Sequence, residues 1–316
     1  MTPDEREAVL ETAAHLLSAG RADELVAELA DAGLGAELWS DTAAVAGLFE
    51  LHGKHLAASR LLDLAMQRPA DGWGCRVVLP LPGSPGPPGQ VRGATVAIAG
   101  VVLSPAAAPE ADARYVLAVD SGDVVLVAGL HAGPAAGFDP ELGLARISGQ
   151  VTVGDCTPAP GDWGWDTLVT RGARALGYEL LGLGGLALRI AKDYVGERRQ
   201  FGHPIGAFQS VRHRLADAHI ALTGAREVLD GTDEAVEPAL QVLLIKALAG
   251  RAALRCVQAA QQVCGAMGFT AEFGLHRVVR RTYLLDSLLG GSEWATHELG
   301  NWALRSGRAP DRLMTL

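Results

Sequence analysis

Over the first 66 residues apolar side chains recur every three to four positions, the period of amphipathic helices. Thr2, Pro3 and Glu5 form a helix-start signature: Thr caps, Pro occupies the first turn and Glu reaches back. Val9, Leu10, Ala13, Leu16 and Leu17 then share one face. A second helix is predicted from Ala22 to Ala32, stopping at Gly33, and a third begins after Ser40 or Asp41, with the helical pattern running through Met66. From about Trp73 the pattern changes. CRVVLPL, ATVAIAGVVL, ARYVLAV, DVVLVAG and ARISGQVTV are short Val- and Ile-rich runs between Gly, Pro and Asp turns, which predicts an antiparallel β domain. Pro80 to Gly89 is a loop, since its prolines lack donors for a ladder. After Pro158 to Asp162 the helical period resumes. Phe208, Val211, Leu215, Ala218 and Leu222 mark one helix, and Val242 to Cys264 a long Ala-rich one. The chain is therefore mostly α with a central β domain: N-terminal helices (1–72), β domain (73–158) and helical bundle (159–316).

One stretch carries candidate chemistry. Arg189 to Phe208 begins as an amphipathic helix with Ile190, Tyr194 and Val195 on one side, and it ends at Gly202 and Pro204. Arg198 lies four residues after Tyr194 and three before Phe201, so a guanidinium and an aromatic ring emerge together at the helix end. The pair suits a phosphate and a flat ring. An arginine at a helix end also serves last-turn carbonyls or a surface carboxylate, and spacing alone leaves both roles open. Gly182 to Gly185 (GLGG) is no dinucleotide loop, because no strand precedes it; these glycines allow helices to approach. His52 and His55 are close on a helix but have no third ligand, and read as structural. No phosphate-binding, zinc-hydrolase or serine-hydrolase signature is present.

Composition narrows the partners. The 316 residues suffice for two or three domains with a large core, and at 49% apolar residues the chain is not disordered. A formal charge of -9 argues against nucleic acid and against a polybasic membrane contact, leaving small molecules and proteins. Cys75, Cys156, Cys256 and Cys264 have neither C-x-x-C nor metal-ligand spacing, and read as thiols of a reducing compartment. The acidic amphipathic start is unlike a signal peptide, and the apolar run Leu180 to Leu188 is too short to span a bilayer. A cytoplasmic protein is expected.

Two segments resemble one family. ERRQFGHPIGAFQSVRHRLAD is similar to the part of acyl-CoA dehydrogenases in which an Arg, a Gln or Thr, and a Phe before Gly reach the FAD of a neighbouring subunit. QVCGAMGFTAEFGLHRVVRRTYLLDSLLG (Gln262 to Gly290) resembles the same family's later helix pair, at the separation that family shows. FELHGKHLAASRLLDLAM resembles its late N-terminal helices. The resemblance implies the acyl-CoA dehydrogenase fold, here with a reduced β domain and a C-terminal four-helix bundle. It also implies α,β-desaturation of an acyl-CoA thioester, in which a carboxylate takes the α proton and FAD the β hydride. Electrons then pass to an electron-transfer flavoprotein or a similar acceptor.

Against that pattern this chain is incomplete. The family's Glu stands at either of two places that converge in space. Alignment puts Leu289 at the first and, counting back from Tyr194, Gly185 at the second; neither can accept a proton. The family's Gly-Thr-Ser-Gln after the first Glu is here Gly290, Gly291, Ser292 and Glu293, and Glu293 would repel a pyrophosphate. The stretches that bond the flavin ring in the β domain are missing. What matches is the set reaching across to another subunit: Arg198, Gln200 and Phe201, then Gln262, Gly265 and Gly268. The resemblance thus implies the non-catalytic subunit of a two-plus-two heterotetramer, like the degenerate chains of actinobacterial steroid catabolism, sharing FAD with a catalytic partner. Two alternatives are a self-sufficient enzyme with Asp286 or Glu293 as a displaced base, and a scaffold that touches no cofactor.

Overall fold

Thr2 accepts a hydrogen bond from the Glu5 amide and Glu5 returns one to the Thr2 amide, so the predicted capping box opens α1 (Pro3–Ser18) in the computed structural model. The described residues are 1–31, 35–68, 75–103, 113–135, 137, 139–159, 163–232 and 236–307. Val9, Ala13, Leu16 and Leu17 of α1 are buried. The expected stop at Gly33, the strand onset at Trp73 and residues 160–162 lie outside the described residues.

α2 (Ala22–Asp31) and a short, unpredicted α3 (Gly35–Ser40) lead to α4 (Thr42–Lys54), which Asp41 caps by accepting from the Ala44 amide. The helical pattern through Met66 is interrupted between His55 and Arg60, with Leu56 at φ 51°, before α5 (Leu61–Gln67). His52 is buried and sits between the Glu179 carboxylate (2.9 Å) and the Ser59 hydroxyl (3.0 Å). It locks α4 to the next long helix.

The strands form two sheets. One runs β1 (Cys75–Val77), β5 (Arg114–Ala118), β6 (Val124–Ala128), β9 (Thr157–Pro158). The other runs β2 (Leu79–Pro80), β4 (Thr95–Leu103), β8 (Leu144–Thr152), β7 (Ala132–Pro134), with β3 (Gly89–Arg92) also on β4. Their inner faces bury Val78, Ile98, Tyr115, Leu117 and Ile147 together. The antiparallel expectation holds for every strand pair except β1 with β5, which is parallel. The chain crosses to the second sheet and back between them, and only such a crossover allows parallel pairing.

α6 (Trp165–Glu197) is the axis of the helical part. Gly182 lies where an added Cβ would come within 2.2 Å of the Glu50 carbonyl, and Gly53 of α4 is equally close to that of Glu179. The two backbones therefore cross in contact, which is what the GLGG run is for. α7 (Gln209–Gly231) and α8 (Pro238–Cys264) complete the layer. A Cβ on Gly177 would meet Ile245 and Leu229, and one on Gly184 would meet Leu222 and Ala253. Position advances together along α6 and α8 and in reverse along α7, so α6 and α8 are parallel and end at the same end of the bundle. α9 (Leu275–Ser287) returns, and α10 (Ser292–Ser306) follows. One core joins α1, α4 and α5 to α6, α8 and α9. Arg281 of α9, buried, reaches Asp139 and the Ala57 carbonyl, pinning the strand region to both helical parts.

Candidate functional site: a bundle-end surface and an apolar corner

At the shared end of α6 and α8 the chain makes a two-residue hairpin. β10 (Arg199–Gln200) pairs with β11 (His203–Pro204), and the tip residues Phe201 and Gly202 have φ 53° and 81°. Two consecutive positive φ values define the tight turn that matches strand twist. Gly adopts this freely; Phe does so at a cost of about 1–2 kcal/mol. The Phe201 ring is nonetheless 89% exposed, with an edge contact to Phe208 at 6.2 Å. The strained backbone thus holds an aromatic ring out in solvent at the tip of the hairpin.

Arg198 caps α6 through its backbone, its amide donating to Tyr194 and its carbonyl accepting from Ile205. Its side chain is exposed and has no hydrogen-bond or ion-pair partner among the described residues. The last-turn and carboxylate roles that spacing left open are thus not used. Gln200 and Gln262 are likewise exposed and unpartnered. Gln262 and Gly265 stand at the end of α8, and the Tyr194 ring meets Phe273, just beyond, edge-on at 5.3 Å. The two sequence segments therefore share one end of the bundle. Gly265 has φ 57° and ψ -138°, with open space around a would-be Cβ. Gly268 differs from expectation: it is buried, and its Cβ would press Cys264 and Leu275 at 3.3 Å, so its smallness serves internal packing.

The second region lies along α6 toward its start. Leu289 is 1% exposed, has φ 56°, and precedes Gly290 at φ 88°. A Cβ on Gly172 would lie 2.8 Å from Leu289 Cδ1 and 3.1 Å from the Met66 sulfur. Leu289 and Gly185 do not converge. Thirteen residues separate Gly185 from Gly172, roughly 20 Å along the helix and on another face. Around Gly185 nothing approaches within 4 Å of a Cβ. The α6 position paired with Leu289 is therefore Gly172, missed because counting back from Tyr194 had no register mark. None of Leu289, Gly172 and Met66 carries a carboxylate.

The turn at Leu289 is held from several sides. Lys246, fully buried, donates to the carbonyls of Leu285 (3.3 Å) and Asp286 (2.8 Å), and burial lowers its pKa to about 8. The Asp286 carboxylate accepts from the Ser292 amide and hydroxyl, capping α10, and faces Gly250. Gly83 donates to the Ser287 carbonyl at 2.8 Å. Asp286 is thus occupied as a cap and directed to α8, away from Gly172; Glu293 is exposed on α10. Neither replaces a base at Leu289. A Cβ on Gly290 would lie 2.6 Å from the Trp294 ring, so an indole fills the space beside that glycine.

Comparisons with known proteins agree on the family. Residues 167–304 match the model of the acyl-CoA dehydrogenase C-terminal domain. The acyl-CoA dehydrogenase IpdE2 of Mycobacterium tuberculosis is 30% identical over 194 residues, 61% of this chain and 58% of that protein. FadE34 of the same organism is 31% identical over 65% of this chain and 27% of its own length. The chain thus spans less than two thirds of these relatives. Among solved structures, the Tcur3481-Tcur3483 steroid ACAD (G363A variant) matches with TM-score 0.75 at 22% identity, covering 96% of this chain and 99% of that one. The ChsE4-ChsE5 complex from Mycobacterium tuberculosis matches with TM-score 0.70 at 21% identity, covering 96% and 98%. At those identities the likeness is one of fold. The matched segment carries both regions described above, and residues 167–304 of this chain belong to the acyl-CoA dehydrogenase C-terminal domain family.

Proposed function

We propose that this chain is the non-catalytic subunit of a heteromeric, FAD-dependent acyl-CoA dehydrogenase, completing the flavin site of a catalytic partner. The observation that carries the reading is the contrast between its two regions. Where the family's base would stand, Leu289 packs on Gly172 and Met66, and none of these three side chains can take a proton. At the bundle end, Arg198, Gln200 and Gln262 are exposed, with no side-chain partner among the described residues, beside a strained, exposed Phe201. The residues fit a shared cofactor on that outer surface. They do not fit a flavin ring of the chain's own beside Gly290, where Trp294 stands.

FAD bound in the shared site would accept the β hydride of the acyl thioester. Arg198 would hold phosphate oxygens with its fork of donors, Gln200 and Gln262 would donate to polar edges, and Phe201 would cover an apolar face. The partner supplies the base. The names of the solved structures that this chain resembles, a steroid ACAD among them, favour a steroid-derived or other bulky acyl-CoA, with an electron-transfer flavoprotein or similar acceptor. Within this reading residues 1–72, 73–158 and 159–316 are the family's three domains, in a cytoplasmic complex. No described helix is long and apolar enough to cross a membrane.

Purification alone and with the partner dehydrogenase tests the proposal: the lone chain should be colourless and inactive, the pair yellow and active. A yellow, active preparation of the lone chain would end it. In the pair, Arg198→Ala should weaken FAD retention roughly 10- to 150-fold, the equivalent of a charge-assisted hydrogen bond worth about 1.5–3 kcal/mol.

A further inference from the structure

A small cleft lies where the first turns of α6, α8 and α10 meet. Its volume is about 220 Å³, below the roughly 300–1,000 Å³ of sites for drug-sized ligands, so it admits a headgroup rather than a long molecule. The indoles of Trp165 and Trp294 line it, together with Pro85 and Val242. Both tryptophans are half-buried. Trp294 stands against Gly290, and the Trp165 amide donates to the Gly122 carbonyl at 3.3 Å, so neither residue is loosely held.

The charged groups in this lining have one sign. Asp166 follows Trp165, and Glu298 is one turn beyond Trp294; no described residue lining the cleft is basic. Among the described residues Asp166 enters no ion pair, while Glu298 accepts from the Asn301 amide at 3.2 Å and has the His297 ring 3.6 Å away. Arg171 and Arg174 of α6 donate elsewhere, to the carbonyls of Met66 and Thr232. Each of the three helix starts adds roughly half a positive charge. Each is already met by a carboxylate: Asp166 in the first turn of α6, Glu237 on the Ala239 and Leu240 amides, and Asp286 on the Ser292 amide. Glu298 is left over, and the cleft is negative. An anion would also lack donors, since the Thr170 hydroxyl already donates to the Asp166 carbonyl at 2.7 Å. Indoles beside carboxylates attract a cation that has an apolar surface.

We propose that this cleft binds a small organic cation of the quaternary ammonium class, its methyl groups against Trp165 and Trp294 and its charge toward Glu298 and Asp166. A metal ion or a primary ammonium fits less well, because the apolar walls cannot replace the hydration that either would lose. The proposal goes beyond the flavin reading and does not depend on it: none of Arg198, Gln200, Phe201 and Gln262 lines this cleft.

Choline and its neutral isostere, the alcohol in which a tert-butyl group replaces trimethylammonium, test it by calorimetry and tryptophan fluorescence on the full chain. Choline should bind saturably, one per chain, and the isostere roughly 10-fold more weakly. Glu298→Gln should weaken choline several-fold and leave the isostere unchanged, whereas Trp294→Leu should weaken both, with helical circular dichroism retained. Trp165→Leu gives the same reading should the Trp294 variant fail to fold. Absence of saturable choline binding, equal affinity for the two probes, or unchanged choline affinity in Glu298→Gln combined with Asp166→Asn overturns the proposal. Loss of choline binding on addition of the catalytic chain also overturns it, and would assign the cleft to a cationic side chain of that chain.

Discussion

Leu289 Cδ1 lies 2.8 Å from the point at which a side chain on Gly172 would begin. Two positions 117 residues apart thus meet at one spot, one filled by leucine and the other kept empty for it. Leu289→Ala should lower stability by about 2–5 kcal/mol, because Gly172 and Met66 cannot close the void. Leu289→Glu would bury an unpaired carboxylate and should cost at least as much while producing no turnover. Urea unfolding and a dye-reduction assay check both.

Gly182 and Gly185 lie one turn apart on α6 and should respond oppositely to alanine. At Gly182 the new Cβ would collide with the Glu50 carbonyl, and separating α4 from α6 should cost about 1–3 kcal/mol. At Gly185 the Cβ enters open space in a helix interior, so stability should rise by about 0.5–1 kcal/mol. Thermal melts of the two variants give the comparison.

Phe201→Gly should separate stability from assembly. Relief of the positive φ (about 1–2 kcal/mol) is partly offset by the greater unfolded-state freedom of Gly, so the isolated chain should melt at the same temperature or slightly higher. The complex should lose flavin. If a gel-filtered complex of the variant retained its full flavin complement, Phe201 would have no part in the cofactor site.

Asp63 supplies a pH test. It is buried and accepts from the Val77 amide, and burial raises its pKa to about 6 despite nearby Arg60. A folded-state value above the unfolded one means that the folded chain binds the proton more readily. Its contribution is therefore most favourable below about pH 4 and declines as pH rises through about 6. The stability of the wild type relative to Asp63→Asn should fall across that window and level off above it. Paired denaturation curves from pH 4 to 7 would show this.

Much was legible in the chain because the causes are local. The Thr2–Glu5 box, the Asp41 cap and the periods of α1, α6 and α8 depend on neighbours within a few residues. The FG at Phe201 and Gly202 marked the end of a helix. Its two positive φ values, which turn the ring outward, emerged only from the hairpin.

Other features depend on contacts between distant segments. Periodicity on α7 marked Val211, Leu215 and Leu222 as a face to be buried, yet they are only partly covered, since that helix borders an open cleft. Local pattern fixes the phase of a helix but not what arrives to cover it.

Sequence by itself determined the helix–strand–helix order, the acyl-CoA dehydrogenase character of the C-terminal helices and the absence of an acidic residue at Leu289. Tertiary structure alone decided that Gly172, not Gly185, faces Leu289, that Asp286 is consumed in capping α10, and that Arg198 and Gln262 share one end of the bundle. The reason is geometric: helical position repeats every 3.6 residues, so a count along the chain names a face but not the partner helix, which only packing selects.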